Sequence, residues 1–225
     1  MTETSADAQS FYHSTRTALL QAALPHAAFD GWADGLLELA IEDSGVDANE
    51  AHLAFPRGEL DLVVFWSEEL DSQARAALEA ADLPAMKIRE RVTTGVWARL
   101  QAMDGQEEAA LQARTRLLRP DAGHEASRLV WATADMIWRA IDDPSTDFNY
   151  YSKRTILSGV YASTLSIWLH DTDPEKAKTR AFLDRRIENV MQFEKTKRQV
   201  QKVTDNLPGL GPILGRMRYG FGPRF

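Results

Sequence analysis

Five histidines, His13, His26, His52, His124 and His170, are the side chains best suited to metal or proton chemistry in this sequence. None follows a glutamate by three residues and no two stand four apart. The Glu-x-x-His pairs of a di-iron carboxylate bundle and the His-x-x-x-His face of a zinc helix are therefore both missing. Cysteine is absent, which excludes disulfides, thiolate nucleophiles and sulfur-ligated metals. No Gly-x-Gly-x-x-Gly follows a strand, and no Gly-x-x-x-x-Gly-Lys cradles a phosphate. A serine or threonine nucleophile needs a base held against it, and no such arrangement is recognisable. The expectation is a protein that is not an enzyme, with no catalytic residue, no metal and no classical cofactor.

The densest mixture of polar and aromatic groups runs from Asp142 through Asp143, Pro144, Ser145, Thr146, Asp147, Phe148, Asn149, Tyr150, Tyr151, Ser152 and Lys153 to Arg154. Carboxylates before a helix start are explained simply as caps that meet its amide end. Tyr150 and Arg154, or Asp147 and Tyr151, stand four apart and can meet on one helix surface. Two adjacent tyrosines cannot both enter one core, so one of them should lie at a surface. With Trp138 about a turn before the loop, aromatic side chains among charges have the composition of a protein-binding hot spot. Capping and partner binding both remain open on this chemistry.

The elements that carry this cluster are helical, since no segment alternates with period two. The pattern predicts helices over about 15–28, 33–44, 48–54, 58–81, 84–102, 106–118, 124–141, 144–169 and 174–193. Pro84, Asp143-Pro144 and Asp173-Pro174 open three of them. Three short helices followed by longer ones give the outline of a helix-turn-helix head on a helical body. The chain of 225 residues is 44% hydrophobic and carries a net charge of -7, unevenly spread. Residues 1–74 hold two basic side chains, Arg16 and Arg57, against fourteen acidic ones, whereas residues 195–225 hold seven basic and one acidic. A nucleic-acid duplex is repelled by the first segment, and an anionic bilayer or acidic partner is attracted by the last. No signal-like or membrane-spanning apolar run is present, so a cytoplasmic product is expected.

Asp135, Trp138, Asp143, Ser145, Thr146, Asp147, Phe148, Asn149, Tyr151, Lys153 and Arg154 together resemble the signature of a known family. It is the lipid-binding accessory family of ubiquinone (coenzyme Q) biosynthesis that assists the di-iron demethoxyubiquinone hydroxylase. Asp142 stands where that family usually has glycine, and Tyr150 where it often has tryptophan. The resemblance extends through Gly31-Trp32 and Gly58-Glu59-Leu60, over about residues 15–205.

The resemblance implies an all-α, TetR-like helical bundle with a degenerate helix-turn-helix head and a C-terminal amphipathic tail. The expected organisation is a lead over 1–14, the head over 15–57, a lipid-binding body over 58–194 and a membrane-associating tail over 195–225. It implies a non-catalytic protein that binds a polyprenyl quinone intermediate or related isoprenoid and presents it to the hydroxylase at the cytoplasmic face of the inner membrane. Shielding such a tail is worthwhile because each exposed methylene costs about 0.8 kcal/mol in water. Asp135, Trp138, Asp147, Asn149, Tyr150 and Arg154 are the residues expected to contact the hydroxylase. Trp97, Met136, Leu157, Tyr161, Leu165 and Trp168 are candidates for lipid contact, although core packing uses the same residue types. Lys197 and Lys202 followed by Leu207, Leu210, Ile213, Leu214 and Phe221 suit an interfacial segment, charges at headgroups and apolar groups below. A homodimer is a further expected assembly. The alternative, a TetR-like transcription regulator responding to an apolar ligand, needs phosphate-binding cations that the first 74 residues lack.

Overall fold

The computed structural model describes the backbone of residues 3–143 and 147–205, and the side chains of residues 10–143 and 150–192. Among these the chain is all α: α1 (Glu3–Phe29), α2 (Leu36–Ser44), α3 (Ala48–Ala54), α4 (Glu59–Glu79), α5 (Ile88–Gln101), α6 (Glu107–Leu117), α7 (Glu125–Ala140), α8 (Asp147–Trp168) and α9 (Ala177–Asp205). Short 3-10 turns at Leu83–Ala85 and Pro120–Ala122 join α4 to α5 and α6 to α7. The chain divides into two compact units, Met1–Asp184 and Arg185–Phe225, with the division inside α9.

Several boundaries differ from expectation, the largest at the two ends of the helical chain. The first helix begins at Glu3 rather than near residue 15, since nothing in the polar lead breaks it. Pro84 lies in the 3-10 turn and α5 starts at Ile88, where the Glu90 carboxylate reaches back to accept from the Lys87 backbone N–H at 2.8 Å. The last helix starts at Ala177 because the buried Asp171, not Asp173, accepts from both the backbone N–H and the hydroxyl of Thr179. It continues to Asp205, carrying the backbone of Lys197 and Lys202 in helical form.

The head follows from its punctuation. Gly45 ends α2 with φ 68, a left-handed cap that glycine adopts without strain. Asp47 then caps α3, accepting from the N–H groups of Asn49 and Glu50. Behind these helices α4 runs through the core, buried on nearly every side between Leu60 and Ser67. Trp32 and Trp66 meet there with ring centroids 5.5 Å apart, and each indole N–H is satisfied, by the Ala109 carbonyl and the Gln106 side chain. Further along, Gly95 lets α5 approach α7, for a Cβ at that position would lie 2.6 Å from Ile137 Cγ2.

Candidate partner-binding site

The aromatic cluster is carried by the hairpin of α7 and α8. At its turn Asp142 has φ 55, in the left-handed region that costs a residue with a side chain. Aspartate is among the few residues with a side chain that tolerate that conformation. Next to it, the Asp143 carboxylate accepts from Lys153 Nζ at 2.6 Å, and the same ammonium lies 5.0 Å from the Trp138 ring centroid.

Asp135 is the centre of the site. Its Oδ1 accepts from the Tyr150 hydroxyl at 3.0 Å and from Arg154 Nε, and its Oδ2 accepts from Arg139 Nε at 2.7 Å. The Arg154 guanidinium lies over the Tyr150 ring, 3.3 Å from the centroid, and donates to the Tyr150 carbonyl. Burial pushes the Asp135 carboxyl up, but hydrogen bonds from Arg154, Tyr150 and Arg139 outweigh it and hold the group below the usual aspartate range.

This network sorts the expected partner-binding residues. Asp135, Tyr150 and Arg154 are brought together, and Trp138 lies close by through Lys153. Arg154 is only 3% exposed and Trp138 is also buried, so both face inward and fix the hairpin. The side chains of Asp147 and Asn149 lie outside the described residues. Of the adjacent tyrosines, Tyr150 is half-buried and Tyr151 is 63% exposed, packed edge-on to each other at 5.2 Å. Tyr151 stacks on Trp131 of α7 at 6.3 Å. Among the described residues the flat apolar surface at this site is Tyr151 over Trp131. The sequence reading named neither as a contact, though the spacing of Trp131, Asp135 and Trp138 on one helix face was its available signal.

The candidates for lipid contact are spread over α5, α7 and α8. Leu157, Tyr161 and Trp168 are buried on α8, and Leu165 is half-buried. Trp97 carries the Arg180 guanidinium over its ring at 3.9 Å. Met136 lines a cleft of about 650 Å³ together with Leu78, Leu83, Pro84 and Ala140, with Arg75 and Arg139 beside them.

A buried polar cluster went unnoticed in the sequence. Arg99 of α5 donates through Nε to Asp71 of α4 at 2.6 Å and through Nη2 to the Ser67 hydroxyl at 3.1 Å. Thr133 of α7 donates to the same Asp71 oxygen at 2.8 Å. Tyr161 of α8 lies under the guanidinium, 5.8 Å from ring centroid to Cζ, and burial pushes its phenol up. Four helices are keyed together by these groups. Their signal was weak, since no two of them are close in sequence apart from Ser67 and Asp71.

Among the described residues no group of three or more His, Asp or Glu side chains could hold a metal ion. No helix of the described residues is long and apolar enough to cross a membrane. The side chains of Lys197 and Lys202, and all of Leu207, Leu210, Ile213, Leu214 and Phe221, lie outside the described residues.

The COQ9 family model matches residues 123–194, which include all of α7 and α8. The chain is 25% identical to the mitochondrial ubiquinone biosynthesis protein COQ9 of Rattus norvegicus, over 84% of this chain and 62% of that protein. With the corresponding protein of Xenopus tropicalis it shares 29% identity, over 81% of this chain and 59% of that one. The chain spans about three fifths of the length of these curated relatives. Its fold is that of a TetR transcriptional regulator from Nitrosomonas europaea, with a TM-score of 0.63 and 23% identity over 77% of this chain and 95% of that one.

Proposed function

We propose that this chain, a relative of the COQ9 ubiquinone biosynthesis proteins, is a non-catalytic accessory protein. It holds a polyprenyl quinone intermediate or related isoprenoid and docks the di-iron demethoxyubiquinone hydroxylase through the α7–α8 hairpin. The observation that carries this reading is the overlap of the matched family region with an exposed Tyr151–Trp131 stack set on a braced hairpin. Exposed aromatic side chains on a rigid frame are what hot spots are made of. Asp135 and Arg154 act from beneath by holding Tyr150, against which Tyr151 packs.

The lipid part of the proposal is supported by the relatives' printed role in ubiquinone biosynthesis and by the open cleft at Met136, whose volume lies in the range of small-molecule sites. Contact with the bilayer is assigned to the basic and apolar sequence from Lys197 to Phe221. A DNA-binding role, which the fold invites, lacks its cations: the residues that α3 exposes are Ala48, Asn49, Glu50, His52 and Leu53.

The test is native mass spectrometry of the chain purified from its own cells, paired with titration of the cognate hydroxylase. The expected result is a bound apolar molecule removed by organic extraction, and a complex weakened by Tyr151→Ala. A chain that stays empty after loading with quinones and isoprenoids overturns the carrier role. Undiminished hydroxylase binding by the Tyr151→Ala and Trp131→Ala variants overturns the docking role.

A further inference from the structure

The cleft at Met136 and the braced hairpin share a residue. One wall of the cleft is the end of α4 and the 3-10 turn after it, with Leu78, Leu83 and Pro84. The other is the end of α7, with Met136, Arg139 and the turn residue Asp142. Arg139 therefore lines the cleft while it donates through Nε to Asp135 Oδ2 at 2.7 Å. On the far side of that carboxylate, Oδ1 accepts from the Tyr150 hydroxyl, and Tyr151 packs on Tyr150 and on Trp131. An unbroken run of contacts thus leads from the cleft to the exposed stack.

The pair at Arg139 is the weak link in that run. Its side chain is 70% exposed, and a solvated pair four residues apart on a helix gains little over water and opens readily. A ligand in the cleft covers the guanidinium and lowers the local dielectric, which strengthens the pair. Both contacts fit at once, because Nε serves Asp135 while the remaining donors of the planar fork are left for an acceptor in the cleft. The lining also selects the ligand. Arg75 and Arg139 are balanced by Glu79 and Asp142, which leaves no net charge to draw an ion. Guanidiniums only donate, and the apolar side chains between them suit a ring or a short chain. The ligand that fits is uncharged, with carbonyl or ether oxygens at its head and an apolar body.

We infer that a neutral ligand of this kind, seated in the cleft and accepting from Arg139, closes the Arg139–Asp135 pair and so raises the affinity of the α7–α8 hairpin for its partner. The inference rests on the carrier and docking roles proposed above and adds the link between them. The two states are the pair closed, with Tyr150 held, and the pair open to water. The ligand favours the first because only the closed pair fixes the guanidinium at the cleft wall, and a ligand shifts an equilibrium by its differential contacts alone. Linkage is reciprocal, so a docked partner raises the affinity of the cleft for its ligand by the same factor.

The experiment uses the full chain, the cognate hydroxylase and a benzoquinone bearing a single isoprene unit as probe, with prenylbenzene, which has no acceptor, as its counterpart. Titration calorimetry should show the quinone binding more tightly than the hydrocarbon. Saturating quinone should tighten the hydroxylase complex about fivefold or more. With no hydroxylase present it should also slow amide hydrogen exchange in α7 and α8. Arg139→Gln should bring the factor close to one and abolish the slowing at quinone concentrations that still fill the cleft. Arg75→Gln, on the opposite wall, should weaken the quinone and keep the factor. A factor that survives in Arg139→Gln, or a bound quinone that leaves exchange in α7 and α8 unchanged, overturns the link and leaves the two roles standing. Prenylbenzene that binds and acts as the quinone does overturns the acceptor head. A quinone that does not bind overturns the cleft role and the link with it. A hydroxylase that does not bind overturns the docking role, and the exchange measurement then decides the link by itself.

Discussion

Replacing Asp135 by asparagine keeps the shape of the side chain and removes the charge that three donors share. Arg154, 3% exposed and bonded through Nε to Asp135, is left as a buried guanidinium with a neutral neighbour. Breaking a fully buried ion pair from one side costs about 3 to 5 kcal/mol. Asp135 itself is partly open to solvent, so about 2 to 3 kcal/mol is the reasoned loss, or roughly 4 to 12 °C in melting temperature for a chain of this size. The effect carries a pH signature. Because the folded carboxyl titrates below its usual value, its contribution is complete above the unfolded pKa of about 3.9. It is lost as pH falls through the lower folded value. Urea unfolding of the wild type and Asp135→Asn at pH 7, and at a series of lower pH values, should show a gap that closes in acid as the wild-type group takes up its proton. A variant as stable as the wild type at pH 7, or a gap that persists undiminished to about pH 2, refutes the assignment of Asp135 as the charged brace of the hairpin.

Tyr151→Ala removes an exposed ring, so its melting temperature should stay within about 0.5 kcal/mol equivalent of the wild type. Its affinity for the hydroxylase should fall about 10- to 30-fold, readable by titration calorimetry. Arg99→Leu strands the Asp71 carboxylate among four helices and should cost about 3 kcal/mol or more in urea unfolding, whereas pairing it with Asp71→Leu should restore part of the loss. Gly95→Ala places a methyl 2.6 Å from Ile137 Cγ2 and should destabilise by about 1 to 3 kcal/mol, with relief by Ile137→Val.

Legibility in the sequence followed the range of the interaction responsible. The spacing of Leu157, Val160, Tyr161 and Trp168 predicts the stripe that α8 buries, because that signal acts within a few residues. The start of α9 was misplaced by three residues because Asp-Pro looks like a cap wherever it occurs, while the acceptor that mattered, Asp171, reaches Thr179 across the turn. Long-range keys were illegible for the same reason: nothing local marks Arg99 as the partner of Asp71 rather than of solvent. Within the site the sequence pointed to the hairpin and could not orient it. Which tyrosine faces out depends on Asp135, fifteen residues before Tyr150, capturing its hydroxyl.

That orientation changes what the signature residues mean. Asp135, Trp138 and Arg154 spend their side chains inward, on a carboxylate-centred network and on burial. Asp142 spends its backbone on a left-handed turn. Among the described residues, Asp135, Trp138 and Arg154 thus serve to hold two helices and a turn, and the stacked pair of Tyr151 on Trp131 is the surface proposed for a partner. Loss of docking after a change at Asp135 or Arg154 therefore mixes a loosened frame with a lost contact, because a hot spot owes its energy to the rigidity beneath it as much as to its own area. The two separate only when stability and affinity are measured on the same variants. Changes beneath the surface should lower both in proportion, and changes at Tyr151 should lower affinity alone.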